Sequence, residues 1–88
     1  MHNSSSRGNN PELWSRLLEV LDDKLQLGLL DHLKRVLSYH FEVDQLIVCV
    51  NEGSDAQYLT KSAVFQQLTL FAQDATGVKE VVVKSGSI

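Results

Sequence analysis

The sequence predicts one small α+β domain whose elements run α-α-β-β-α-β, a three-stranded sheet with its helices packed on one face. Three observations carry this. Apolar residues recur at three- and four-residue steps in the first part of the chain, the period changes to two from Tyr39, and a third helical stretch closed by Gly77 leads into a valine run. Eighty-eight residues suffice for a single core and not for two. A right-handed connection from the second strand through the last helix lays the third strand parallel to a neighbour, leaving one sheet face and one edge available.

The opening residues 1–10 are polar, with Ser4, Ser5, Ser6, Gly8, Asn9 and Asn10, and have no apolar period. They are expected to be a flexible leader, either an expression remnant or the end of an interdomain linker. Asn10-Pro11-Glu12 is a helix start: an N-cap side chain, a proline at the first helical position and an acid facing the dipole. Leu13, Trp14, Leu17, Leu18 and Leu21 then form one apolar face, so the first helix is expected over Pro11 to Lys24. Leu29 or Leu30 with Leu33, Val36 and Leu37 repeats the pattern, with Asp31, Lys34 and Arg35 on the other face and Gly28 weakening the join.

Tyr39, Phe41 and Val43 alternate with His40, Glu42 and Asp44, and Leu46 to Val50 is a second strand. Asp44-Gln45 is short enough for the hairpin turn, without the glycine that would specify a two-residue type. The loop Asn51 to Asp55 ends in capping residues and leads to a short helical turn around Tyr58 and Leu59. A longer helix follows from about Ser62 to Ala75, built on Val64, Phe65, Leu68, Phe71 and Ala72, and Gly77 fits the left-handed position past its end. Val78 to Lys84 is the last strand and residues 85–88 a frayed tail, so the folded domain is expected over 11–84.

Composition narrows function mainly by exclusion. No run approaches the ~20 apolar residues of a membrane span, and the first residues lack the apolar region of a signal peptide, which predicts a soluble, cytoplasmic protein. The single cysteine, Cys49, excludes an internal disulfide and is expected to be a small buried apolar residue; no Cys/His spacing fits zinc. A net charge of −3 gives no global attraction to nucleic acid or anionic lipid. No cofactor motif is present: Gly28, Gly53, Gly77 and Gly86 form no phosphate-cradling loop. His32 and His40 lie on different elements, and no carboxylate stands at a spacing that would orient either as a base, so no catalytic residue is assigned and the domain is not expected to be an enzyme.

Two surfaces remain as candidates. Trp14 reads first as a core residue; near the start of a terminal helix it also suits an interface anchor, with Leu13 and Leu17 as its companions. Lys34, Arg35 and Lys79 form a candidate basic patch. Direct nucleic-acid binding of the KH kind, in which a GXXG loop clamps a single strand, is disfavoured because the sequence has no GXXG.

The residues Pro11-Glu12-Leu13-Trp14 with Leu17, Leu18 and Leu21, then Val43 to Val48, then Phe65 with Leu68 and the ending Thr76 to Val83, together resemble the C-terminal domain of the bacterial DNA polymerase III gamma/tau subunit. The resemblance spans about Pro11 to Lys84 and rests on hydrophobic spacing with few fixed residues. The pattern is also similar to the N-terminal interaction domain of the bacterial replication initiator. That domain usually has an aromatic-rich second helix, whereas Leu29 to Leu37 has no aromatic residue. Either resemblance implies a KH-like, non-catalytic module that binds replisome proteins. The gamma/tau resemblance implies the clamp loader, with the ATPase elsewhere and the polymerase alpha subunit as partner; the initiator resemblance implies the replicative helicase or self-association.

Overall fold

A computed structural model describes residues 8–85; the remainder of the expected leader and tail, 1–7 and 86–88, lies outside the described residues. Four helices and three strands follow in the order α1 (Pro11–Asp23), α2 (Leu27–Leu33), β1 (Ser38–Phe41), β2 (Gln45–Val50), α3 (Ser54–Thr60), α4 (Ser62–Thr76) and β3 (Glu80–Ser85). The predicted α+β order holds, with the helical turn around Tyr58 grown into α3. Lys61 has an extended backbone, φ −63° and ψ 138°, which separates α3 from α4.

The sheet order is β1-β2-β3, with β1 antiparallel and β3 parallel to β2. Tyr39, Phe41, Leu46, Val48, Val50 and Val81 are buried on one face. Ile47, Cys49 and Val82 are half-buried on the other, beside the exposed His40, Glu80 and Lys84. Helices therefore cover a single face, and Cys49 belongs to the open one, contrary to its expected burial. The strand alternates, and Cys49 stands between the inward-facing Val48 and Val50.

Leu17 and Leu21 of α1, Leu33 of α2, Leu59 of α3 and Leu68 of α4 are all fully buried against the inner face. At one end of this core the Trp14 ring lies flat on Tyr39, with centroids 4.3 Å apart and planes 3° from parallel, and Phe41 meets Tyr39 edge-on at 5.8 Å. Asn10 caps α1 through a bond from the Leu13 N–H to its side-chain oxygen, as expected.

Residues 8–10, on the N-terminal side of the predicted boundary, pack on the sheet. The Asn9 amide both accepts from the Phe41 N–H (2.7 Å) and donates to the Phe41 carbonyl (2.8 Å). Gly8 lies so close to Tyr39 that an added Cβ would overlap its ring. Residues 8–10 therefore belong to the domain. Their polar composition is what an edge clip requires, because a side-chain amide carries the same donor and acceptor as a peptide group.

Three further boundaries shift. The hairpin turn is closed by Glu42 N–H to Gln45 O (2.8 Å), which centres it on Val43 and Asp44 and leaves Val43 94% exposed at the tip instead of in the strand. Neither turn residue has positive φ, consistent with the missing glycine. Helix α2 begins at Leu27 and ends at Leu33, four residues short of Leu37, because the Leu37 N–H is taken by the Cys49 carbonyl and the chain is already entering the sheet. Strand β3 begins at Glu80; Val78, just before it, is buried beneath the sheet end.

Helix α1 ends in a Schellman motif, with Gln26 N–H bonded to Leu21 O (2.8 Å) and Leu25 N–H to Asp22 O (3.1 Å). The left-handed position of this motif, where glycine is the usual residue, is occupied by Leu25 at φ 60° with its side chain 77% exposed. A leucine there costs roughly 1–2 kcal/mol and gains little burial in return. Gly77 fills the equivalent position after α4 at φ 82°, as the sequence predicts.

Two stability measurements follow from this packing. Trp14→Ala removes the stacked ring and should lower unfolding free energy by about 3–5 kcal/mol, a large fraction of the roughly 5–15 kcal/mol of a typical domain, read from urea unfolding. Leu25→Gly should raise it by up to about 1 kcal/mol, since relief of strain exceeds the entropy glycine adds to the unfolded chain; a fall in stability would mean that the leucine side chain has intramolecular contacts worth more than the strain.

Candidate functional site

The densest polar cluster among the described residues joins α2 to α3. Asp55, in the first turn of α3, accepts from the His32 ring at 2.5 Å (Nδ1 to Oδ1) and from Arg35 Nη2 at 2.8 Å, while Arg35 Nη1 reaches Asp31 at 2.6 Å. The short Nδ1 to carboxylate distance requires a proton on His32 Nδ1. That nitrogen is then unable to accept from Arg35 Nη2, 3.1 Å away, so the guanidinium is a neighbour of the ring and a donor only to the two carboxylates. Hydrogen bonds from Arg35 and then from His32 hold the Asp55 carboxyl below the usual carboxylate range, against a smaller opposing effect of burial. The same two carboxylates push the Arg35 guanidinium further up.

Tyr58, one turn along α3, stacks on the His32 ring at 4.0 Å and 15°. Its hydroxyl lies over Gly28, where a Cβ would stand 3.0 Å from it, so the absence of a side chain at Gly28 lets α2 and α3 approach. Gly28 thus serves as a contact point as well as a weak helical position.

Contrary to the expectation that no carboxylate orients a histidine, Asp55 pairs with His32 and Glu42 with His40. Asp55 lies 23 residues from His32, and only the return of the chain after β2 brings it there. An imidazole oriented through Nδ1 by a carboxylate is the positioned part of a general base. Among the described residues no hydroxyl or thiol is hydrogen-bonded to the His32 ring, and no group of three or more His, Cys, Asp or Glu side chains is placed to hold a metal ion. Asp55 also shares one oxygen between His32 and Arg35, which makes the cluster a clasp between helices. The other histidine ion pair, His40 with Glu42, is half-exposed on both sides and contributes little.

The predicted surfaces are redistributed. Trp14 and Leu17 are 6% and 0% exposed, and Leu13 is half-buried against the same core. The apolar face of α1 is used for packing and is not a free interface. Lys34, Arg35 and Lys79 do not form one basic patch. Lys34 and Arg35 precede Ser38, whose register partners are Cys49 and then Lys84, at one end of the sheet. Lys79 is at the other end, where its N–H bonds to Asp44 O in the hairpin turn. Arg35 is moreover committed to Asp31 and Asp55. Among the described residues, the exposed large apolar side chains are Leu25, Leu27, Leu37, Val43 and Leu70.

Comparisons with protein-family models, curated proteins and solved structures find no match for the chain. Among the described residues, no helix is long and apolar enough to cross a membrane.

Because Asp55 is stabilised in its charged form by folding, its contribution is complete above the ordinary carboxylate value of about 3.9 and is lost as pH falls through the depressed folded value. Asp55→Asn should cost about 1–2 kcal/mol at pH 7, Arg35 being half-exposed. In denaturant titrations the gap between wild type and variant should narrow as the pH falls below the ordinary carboxylate value. A gap that does not narrow with acid would show that the charged carboxylate is not its source.

Proposed function

We propose that this chain is a cytoplasmic, non-catalytic interaction domain of the DNA polymerase III gamma/tau type, which recruits replisome partners during DNA replication, the polymerase alpha subunit first among them. The residue pattern from Pro11 to Lys84 and the α+β order, with one sheet face left open, agree with the KH-like module that this resemblance implies. The carrying observation is Leu25, an exposed leucine held in a left-handed conformation that glycine would occupy at lower cost. Leu27, two residues on, is 54% exposed. Backbone strain spent on presenting an apolar side chain to solvent supports a contact made with another molecule. The recruiting surface is thus the α1–α2 corner in place of the buried face of α1.

The decisive assay is binding of the full chain to purified polymerase alpha subunit. The wild type should be retained, and Leu25→Gly and Leu27→Ser should each weaken retention at least about tenfold, equivalent to the ~1.4 kcal/mol expected of an apolar anchor. Leu25→Gly is informative because it should strengthen the fold while weakening the complex, which separates contact loss from unfolding. Absence of binding by the wild type would overturn the polymerase assignment. Capture of the replicative helicase instead would move the reading to the initiator type, and salt-sensitive binding of single-stranded DNA would move it to a KH-like nucleic-acid binder.

A further inference from the structure

The outer edge of β3 meets no strand among the described residues. Its backbone orientation follows from the parallel register of Glu80 against Gln45 together with the Glu80 N–H, which donates at 3.2 Å to Asp44 O, an acceptor it shares with the Lys79 N–H (2.7 Å). In a parallel ladder alternate residues bond the neighbouring strand through both N–H and C=O. Glu80, Val82 and Lys84 therefore turn their peptide groups toward β2, and Val81 and Val83 turn theirs outward. The side chains of Glu80, Val82 and Lys84 stand on the open face of the sheet.

The segment Glu80-Val81-Val82-Val83-Lys84 has opposite charges at equal distances from a central valine. We propose that two copies of this domain pair through β3, antiparallel, about a twofold axis at Val82. Val81 of each copy then stands opposite Val83 of the other, and each such pair exchanges two N–H···O=C bonds through the outward-facing peptide groups. Val82 meets its own counterpart. Each Glu80 carboxylate lies opposite a Lys84 ammonium in the non-hydrogen-bonded positions, where side chains approach most closely.

Edge, hydrogen-bond phase and charge thus all agree on one register. A slip of two residues keeps the backbone phase but sets Lys84 against Val82 and separates both ion pairs. The same register joins the half-buried Ile47, which neighbours Val82, to its counterpart through a continuous apolar row across the open face. Lysine on an edge strand ordinarily discourages pairing; here the second copy supplies its counter-charge. A strand-to-strand contact is small for a stable complex, so the association is a concentration-dependent one. It does not depend on which protein the domain recruits.

Sedimentation equilibrium of the full chain, from micromolar to millimolar concentration, tests the pairing. The wild type should move from monomer toward dimer. Glu80→Lys alone and Lys84→Glu alone should each weaken association at least about tenfold, because two like-charged pairs replace two opposite ones. An equimolar mixture of the two single variants should dimerise again, since every cross-pair in the heterodimer is once more opposite in sign. Both positions are exposed, and circular dichroism checks that the variants fold. A wild type that stays monomeric throughout, single variants that associate as well as the wild type, or a mixture that remains monomeric would each overturn the proposal.

Discussion

The stack of Trp14 on Tyr39 couples three parts of the chain: the start of α1, the edge strand β1 and the residues that precede the first helix. Its near-parallel geometry sets α1 across the inner face of the sheet, and the Tyr39 ring is also the surface against which Gly8 lies. From that position Asn9 reaches the backbone of Phe41. The aromatic contact thereby ties residues 8–10 to β1. Burial also raises the Tyr39 phenol, so its neutral form persists further into alkali than that of an exposed tyrosine.

Features governed by local period were legible in the sequence. The start of α1 at Pro11, the break at Lys61, the extent of α4 and the left-handed Gly77 all depend on residues within a few positions of one another. Features decided by distant partners were not. The alternation through Val43 continues the pattern of a strand, and only the Glu42–Gln45 closure ends it. Likewise Val36 and Leu37 continue the helical spacing of α2, yet the sheet captures the Leu37 N–H. Nothing in the residues around Leu25 announces a non-glycine left-handed position, because the motif is defined by backbone bonds to Leu21 and Asp22.

The candidate site divides along the same line. The interface expected at Leu13, Trp14 and Leu17 was read from an apolar face, and apolar periodicity alone does not distinguish a face that packs within the domain from one that waits for a partner. The His32–Asp55 pair shows the converse, a specific geometry created by residues on separate helices. The Arg35 guanidinium beside it makes Asp55 a shared acceptor, so the arrangement closes the gap between α2 and α3 more than it exposes a reactive group.

The Asn9 clip has a consequence for how copies of this domain can meet. A three-stranded sheet has two edges, and a protein with both edges open can add neighbours without limit. Asn9 fills the hydrogen-bonding positions of Phe41 on the outer side of β1, which leaves β3 as the edge available for strand addition. Joining two molecules through β3 about a twofold axis uses that edge in both at once, so the extended sheet is bounded on each side by an amide from the same chain that begins it. Such a pairing would give a six-stranded sheet in which each outer strand carries an Asn9 amide on Phe41, a side chain lying outside every regular element of the fold.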